Sequence, residues 1–171
     1  MRRCLEALYR VSGWLAALCL GMILLAVVWQ VVSRWMGRTA DATETAGMCL
    51  AASTFFGLAS TFRAGAHVRI NLLTARLRPG LQRVVELFNC TAGAVAVGIV
   101  TWNMWLLVMQ SHAYHDVSPG LLAMPFWIPQ TAVALGLSIF LVALIDELVW
   151  LLQGGTHRYD ASAADADAPV A

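Results

Sequence analysis

Charged residues are scarce in this chain, and that scarcity excludes a water-soluble globular domain. Asp, Glu, Lys and Arg together make up 12% of the sequence, whereas hydrophobic residues make up 60%. Soluble domains usually carry about 25% charged residues. The chain has too little polar surface to cover a globule, so we predict that lipid solvates much of it. The net charge is only +1 and no basic patch lies outside the membrane pattern, which argues against a nucleic-acid partner.

Metal-ligand spacings are missing as well. The cysteines form no C-x-x-C pair and have no histidine at zinc-ligand distance, so we expect them to pack as small hydrophobic residues. They are Cys4, Cys19, Cys49 and Cys90. His112 and His115 could chelate a metal if they were helical, but they fall in a predicted loop with only Asp116 beside them. No histidines face each other inside the apolar runs, which excludes a di-haem bundle, and we predict no metal and no cofactor.

Four long, largely uncharged runs dominate the sequence. A membrane-spanning helix needs about 20 apolar residues, and each run is long enough to cross a bilayer. The predicted spans are residues 11–33, 45–62, 84–111 and 126–152. The first is too long for the apolar part of a signal peptide, so we expect a retained helix. Proline fits the first turn of a helix, so Pro125 and Pro129 predict the start of the fourth.

These runs predict an all-α integral membrane protein, with one four-helix domain over residues 1–153. Residues 154–171 carry aspartates among alanine and serine and almost no large apolar groups. Such a segment cannot bury enough surface to order itself. We therefore predict a disordered cytoplasmic tail.

The arginines are distributed unevenly between the ends of the spans. With the N-terminus in the cytoplasm, nine of the eleven lie inside, and only Arg34 and Arg38 lie outside. The positive-inside rule therefore predicts both chain ends in the cytoplasm. Wound as a helix, the inner segment between spans two and three has apolar residues on two sides, with Arg69 and Arg76 between them. This pattern favours a segment at the inner membrane surface, and an ordinary loop without specific contacts is the alternative.

Small residues recur at a spacing of four in every predicted span, which permits close helix packing. The series are Gly13, Ala17 and Gly21; Ser53, Gly57 and Thr61; Cys90, Ala94 and Gly98; and Ala132 with Gly136. The same surfaces could equally face a partner protein.

No predicted span carries an ionisable residue near its middle, where ion-coupled carriers and proton pumps place their carboxylates. Gln30 and Asn103 are the strongest polar groups there, and Asn103 could bond across helices. Asp146 and Glu147 point about 100° apart on a helix, so we expect solvation at the inner interface or pairing with loop arginines. Without a Gly-rich phosphate loop or a nucleophile–base pair, we predict that the chain is not an enzyme.

One inner-loop motif resembles a known family. Arg63-x-Gly65-x-His67-Val-Arg69-Ile-Asn71-Leu-Leu after the second of four spans is similar to the small, DctQ-like membrane subunit of tripartite ATP-independent periplasmic (TRAP) transporters. Glu44 resembles the acidic residue that precedes the second span in that family. Met124-Pro125-Phe-Trp127-Ile-Pro129, followed by Gly136, resembles its entry to the fourth helix. The resemblance covers about residues 11–152, and we expect aspartate more often at the position of Asn71.

The resemblance implies a scaffold subunit in the bacterial inner membrane rather than the carrier itself. The implied partners are a large sodium-coupled permease and a periplasmic binding protein that delivers an organic acid. Contacts with the large subunit or with lipid would then involve eight residues. They are Glu44, Arg63, Gly65, His67, Arg69, Asn71, Pro125 and Trp127. The alternatives are a four-helix scaffold or assembly protein outside transport, and a small membrane enzyme or drug exporter.

Overall fold

A computed structural model of the protein describes residues 2–38, 42–63, 79–118 and 123–153. These described residues form four helices, α1 (Arg2–Trp35), α2 (Thr43–Arg63), α3 (Pro79–Tyr114) and α4 (Trp127–Leu152). Each contains a stretch that is long and apolar enough to cross a membrane. Within the described ranges, no β-strand forms beyond an isolated bridge between Val117 and Pro125. The predicted all-α fold with four membrane-spanning helices is confirmed, while the inner segment and the tail lie outside the described residues.

Local sequence explains where the helices begin and end. Gly37 follows α1 with a φ of +73°, a conformation that glycine adopts without steric cost. The Gly37 N–H donates to the Arg34 carbonyl at 3.1 Å, and the Arg38 N–H donates to the Ser33 carbonyl at 2.9 Å. This pair of bonds is the Schellman motif that terminates a helix. α4 begins at Trp127, two residues after Pro125, and Pro129 occupies its first turn, where a missing N–H costs no intrahelical bond.

The helices form an open row in the order α1–α2–α4–α3. α2 packs on both α1 and α4, α4 packs on α3, and α1 makes only a minor contact with α4. α2 and α4 run parallel, because Phe55 lies against Gly136 and, further along both helices, Phe62 packs edge-on against Phe140. α1 and α3 are therefore the two edges of the row, and each has one face that no other described helix covers.

Close helix approach depends on a few small residues. A Cβ added to Gly136 would lie 2.8 Å from the Phe55 carbonyl carbon, so only glycine allows α2 and α4 this separation. A Cβ on Gly13 would lie 3.5 Å from Ser60, whereas Gly21 and Gly57 have nothing within 4 Å of that position. The small-residue series therefore divide into packed positions and positions open to the surroundings.

The buried core lies where the start of α1 meets the second halves of α2 and α4. Tyr9, Ala59 and Ala143 form its centre. Hydrogen bonds also join neighbouring helices. The Ser12 hydroxyl donates to the Phe56 carbonyl between α1 and α2, and the Trp105 indole Nε1 donates to the Ser138 hydroxyl between α3 and α4 at 3.1 Å. These bonds satisfy polar groups that lipid cannot solvate.

Candidate subunit interface

Glu44 lies in the first turn of α2, where the helix dipole favours a negative charge. The residue is partly buried, yet both carboxylate oxygens are shielded from solvent and neither has a hydrogen-bond partner within the described part of the chain. Burying a polar group without a partner costs free energy. A donor or cation from a second molecule would remove that cost, which makes Glu44 the strongest interface candidate among the described residues.

Pro125 and Trp127 belong to a closed connection between α3 and α4. The Ser118 N–H donates to the Met124 carbonyl at 2.9 Å, and the Phe126 N–H donates to the Asp116 carbonyl at 3.0 Å. Together with the Val117–Pro125 bridge, these bonds fix both ends of the connection, whose residues 119–122 lie outside the described ranges. Trp127 is partly exposed at this end of the row, a position where an amphipathic indole suits the membrane interface.

His112 packs edge-on against Trp127, with ring centroids 5.6 Å apart. Its ring centroid lies 6.5 Å from that of His115, and both histidines are exposed. Over the described ranges, no group of three His, Cys, Asp or Glu side chains could hold a metal ion. In this arrangement His112 helps to position the start of α4.

The predicted inner-loop contacts lie mostly outside the residues that the structure describes. Arg63 is the last residue of α2, but its side chain lies outside the described part. The same holds for Gly65, His67, Arg69 and Asn71. Their assignment to an interface stays a prediction.

Glu147 is not solvated at the inner end of α4, and the alternative, pairing with loop arginines, involves side chains outside the described ranges. It is only 6% exposed, and it follows the core residue Ala143 by one helical turn. Contact with α3 at this level is shown by the Cys90 thiol, 3.6 Å from the Leu144 carbonyl oxygen. Its neighbour Asp146 is partly buried. Sequence reasoning missed this burial because the neighbours of α4 are not visible in the local pattern.

A second feature that the sequence pattern did not reveal is the outer face of α3. Most positions on the side opposite α4 are exposed, and one line of them, at alternating intervals of three and four, carries three carboxamides. We call this face the α3 seam. It consists of Asn89, Ala92, Ala96, Ile99, Asn103, Leu106 and Gln110. Asn103 could bond across helices; within the described chain its Nδ2 donates to the Ile99 carbonyl of its own helix at 2.8 Å.

The outer face of α1, at the opposite edge of the row, is chemically different. Its exposed side chains are large and apolar, as lipid contact requires. They include Val11, Leu18, Met22, Leu25 and Val32. The exposed positions of α4 are likewise aliphatic, among them Ile128, Leu135, Val142 and Val149. Carboxamides at exposed positions inside a span therefore distinguish α3 from its neighbours.

The fold and these surfaces define a multi-pass membrane protein whose helices expose most of their surface to lipid or to other membrane proteins. Residues 23–154 match the family model of the DctQ component of tripartite ATP-independent periplasmic transporters. The chain belongs to this family, and the resemblance seen in its inner-loop motif is confirmed. Family membership implies association with a large permease and a substrate-binding protein. No curated protein matches the chain.

Proposed function

We propose that this protein is the small permease subunit of a TRAP-type secondary transporter and acts as a scaffold for the large transport subunit. The match of residues 23–154 to the DctQ component carries the proposal. The chemistry of the chain agrees with it. The central part of each span lacks an ionisable residue, so ion coupling and substrate binding would belong to a partner.

The transported substrate would be an organic acid, taken up with sodium ions. Support for this comes from the family resemblance alone. The family description, which names periplasmic transporters, supports the bacterial inner membrane. The arginine distribution supports an orientation with both chain ends in the cytoplasm. We assign this chain no enzymatic step.

The contacts with the large subunit would include Glu44, Pro125 and Trp127 at the outer end of the row. The exposure of Trp127 and the buried, unpaired carboxylate oxygens of Glu44 support this assignment. Arg63, Gly65, His67, Arg69 and Asn71 would provide a second contact at the inner surface, where anionic lipid headgroups also favour arginine.

Affinity purification and reconstitution test the proposal. The tagged chain, expressed with its genomic neighbours and extracted in mild detergent, should purify as a stable complex with a much larger membrane protein. Liposomes holding both subunits should take up a carboxylate when a sodium gradient and the binding protein are present, while liposomes holding this chain alone should not. Transport by the chain alone would contradict the proposal. Stable purification without a larger membrane protein would favour the assembly-protein alternative.

A further inference from the structure

The α3 seam has the spacing of a helix–helix contact, although no helix of this chain's described part covers it. Its residues follow one another at intervals of 3, 4, 3, 4, 3 and 4, which is the a/d pattern of a heptad repeat. Asn89, Ala96, Asn103 and Gln110 occupy the a positions, each seven residues after the last. At a rise of 1.5 Å per residue the seam is about 32 Å long, which matches the hydrocarbon core of a bilayer.

The exposed carboxamides argue that lipid is not the intended neighbour of this face. Asn103 lies four residues from the centre of the Val84–Tyr114 span, about 6 Å along the axis. One N–H of its side chain donates to the Ile99 carbonyl, which leaves a second N–H and the Oδ1 for another partner. Hydrocarbon offers neither donor nor acceptor, so a polar side chain inside a span favours association with a helix.

We propose that the α3 seam joins two copies of this chain in the membrane, with the two α3 helices parallel. All copies insert with the same orientation, so a two-fold axis along the membrane normal brings each a position opposite its own counterpart. A carboxamide both donates and accepts hydrogen bonds, and Asn pairs with Asn at the a positions of parallel dimers. Asn89, Asn103 and Gln110 would each pair with the same residue of the second copy. The contact would therefore need no other protein.

The shape of the row permits this contact. α3 is an edge helix, and its seam points away from α4, so two rows can meet edge to edge. Ile99 and Leu106 supply apolar area at the d positions and are 59% and 38% exposed. The outer end of α2, with Glu44, stays free in this arrangement. The proposal therefore does not depend on the transport role and is compatible with it.

Cysteine cross-linking in native membranes tests the dimer, with the large permease co-expressed. All four native cysteines are first replaced by alanine. Ala96→Cys, at an a position of the seam, should oxidise to a species of about twice the 18.5 kDa chain mass. Leu25→Cys is the matched control, because it is also exposed within a span but lies on the outer face of α1.

Asn103 variants in the Ala96→Cys background test the role of the carboxamide. Asn103→Leu should weaken self-association by about three- to thirtyfold, the effect of losing one or two hydrogen bonds between membrane helices. Asn103→Gln should retain most of the self-association. Because residue 103 is exposed in the single chain, both variants should have the parental unfolding temperature in detergent. Cross-linking of the Ala96→Cys variant to the large permease, the absence of a product, or equal dimer yield with Asn103→Leu would each overturn the proposal.

Discussion

At the scale of single residues, Gly136 controls how closely α2 and α4 approach. Its hypothetical Cβ would meet the Phe55 carbonyl carbon at 2.8 Å, Cβ at 2.9 Å and carbonyl oxygen at 3.0 Å. Two of these three atoms are backbone, so the clash cannot be relieved by a side-chain rotation. Substitution there must move one helix away from the other.

Gly136→Ala should therefore destabilise the fold by about 1–3 kcal/mol, the usual cost of overpacking a close contact. Gly57→Ala is the control, because nothing lies within 4 Å of its Cβ position and alanine is the better helix former by about 1 kcal/mol. Thermal unfolding in detergent should show a lower transition temperature for Gly136→Ala and an equal or higher one for Gly57→Ala. The same transition temperature for both variants would mean that α2 and α4 move apart without a loss of stability.

Glu44 allows a second prediction at this scale. If the large permease supplies a donor or cation to its buried oxygens, Glu44→Gln should weaken the complex by about tenfold or more, since charged pairs at interfaces are costly to break. Glu6→Gln, at an exposed carboxylate near the start of α1, should leave complex recovery unchanged. Quantitative pull-down measures how much permease is recovered with each of the two variants. Equal recovery with the two variants would remove Glu44 from the interface.

At the scale of helices, α1 depends on one neighbour. It packs mainly on α2, and its contact is anchored by the Ser12 hydrogen bond to the Phe56 carbonyl and by Gly13 against Ser60. The rest of its spanning surface is mostly exposed. Because so few positions hold the helix, a single bulky residue should loosen it.

Gly13→Leu and Gly21→Leu make a matched pair on α1. Both replace a glycine, about two turns apart on one helix, but only Gly13 has a neighbour within 4 Å. Gly13→Leu should separate the start of α1 from α2 and increase amide hydrogen exchange in both helices. Gly21→Leu should leave exchange near the parental rate, and faster exchange there would show that α1 is loose along its whole length.

The helices and their membrane-spanning character could be predicted from the sequence because long apolar runs report directly on burial in lipid. Their arrangement could not. Gly57 and Gly136 look alike as small residues at spacing four, yet one is open and the other is in tight contact. Glu147 looks like a solvated end residue, yet it is buried. Each difference depends on which helices become neighbours, and a local pattern carries no such information.

At the scale of the whole molecule, the arginine distribution determines the orientation we predict. Arg69→Glu would put a negative charge where the inner membrane surface favours a positive one, so it should weaken complex assembly or disturb the inner loop. Arg69→Gln is the milder control, since it removes the charge without reversing it. When recovery of the complex is measured for both variants side by side, it should fall further for Arg69→Glu than for Arg69→Gln. Unchanged recovery and uptake with Arg69→Glu would leave the arginine as a topology signal alone.

The orientation itself can be measured with single cysteines in a background whose four native cysteines are alanine. Arg38→Cys and Asp116→Cys lie at the ends predicted to be outside, Gln153→Cys lies at an inner end, and all three positions are exposed. A membrane-impermeant maleimide added to intact spheroplasts should label the first two variants and should label the Gln153→Cys variant only after permeabilisation. Arg38→Cys also removes one of only two outer arginines, which strengthens the charge bias toward the predicted orientation. Labelling of the Gln153→Cys variant in intact spheroplasts would reverse the orientation and move the Glu44 end of the row to the cytoplasmic side of the membrane.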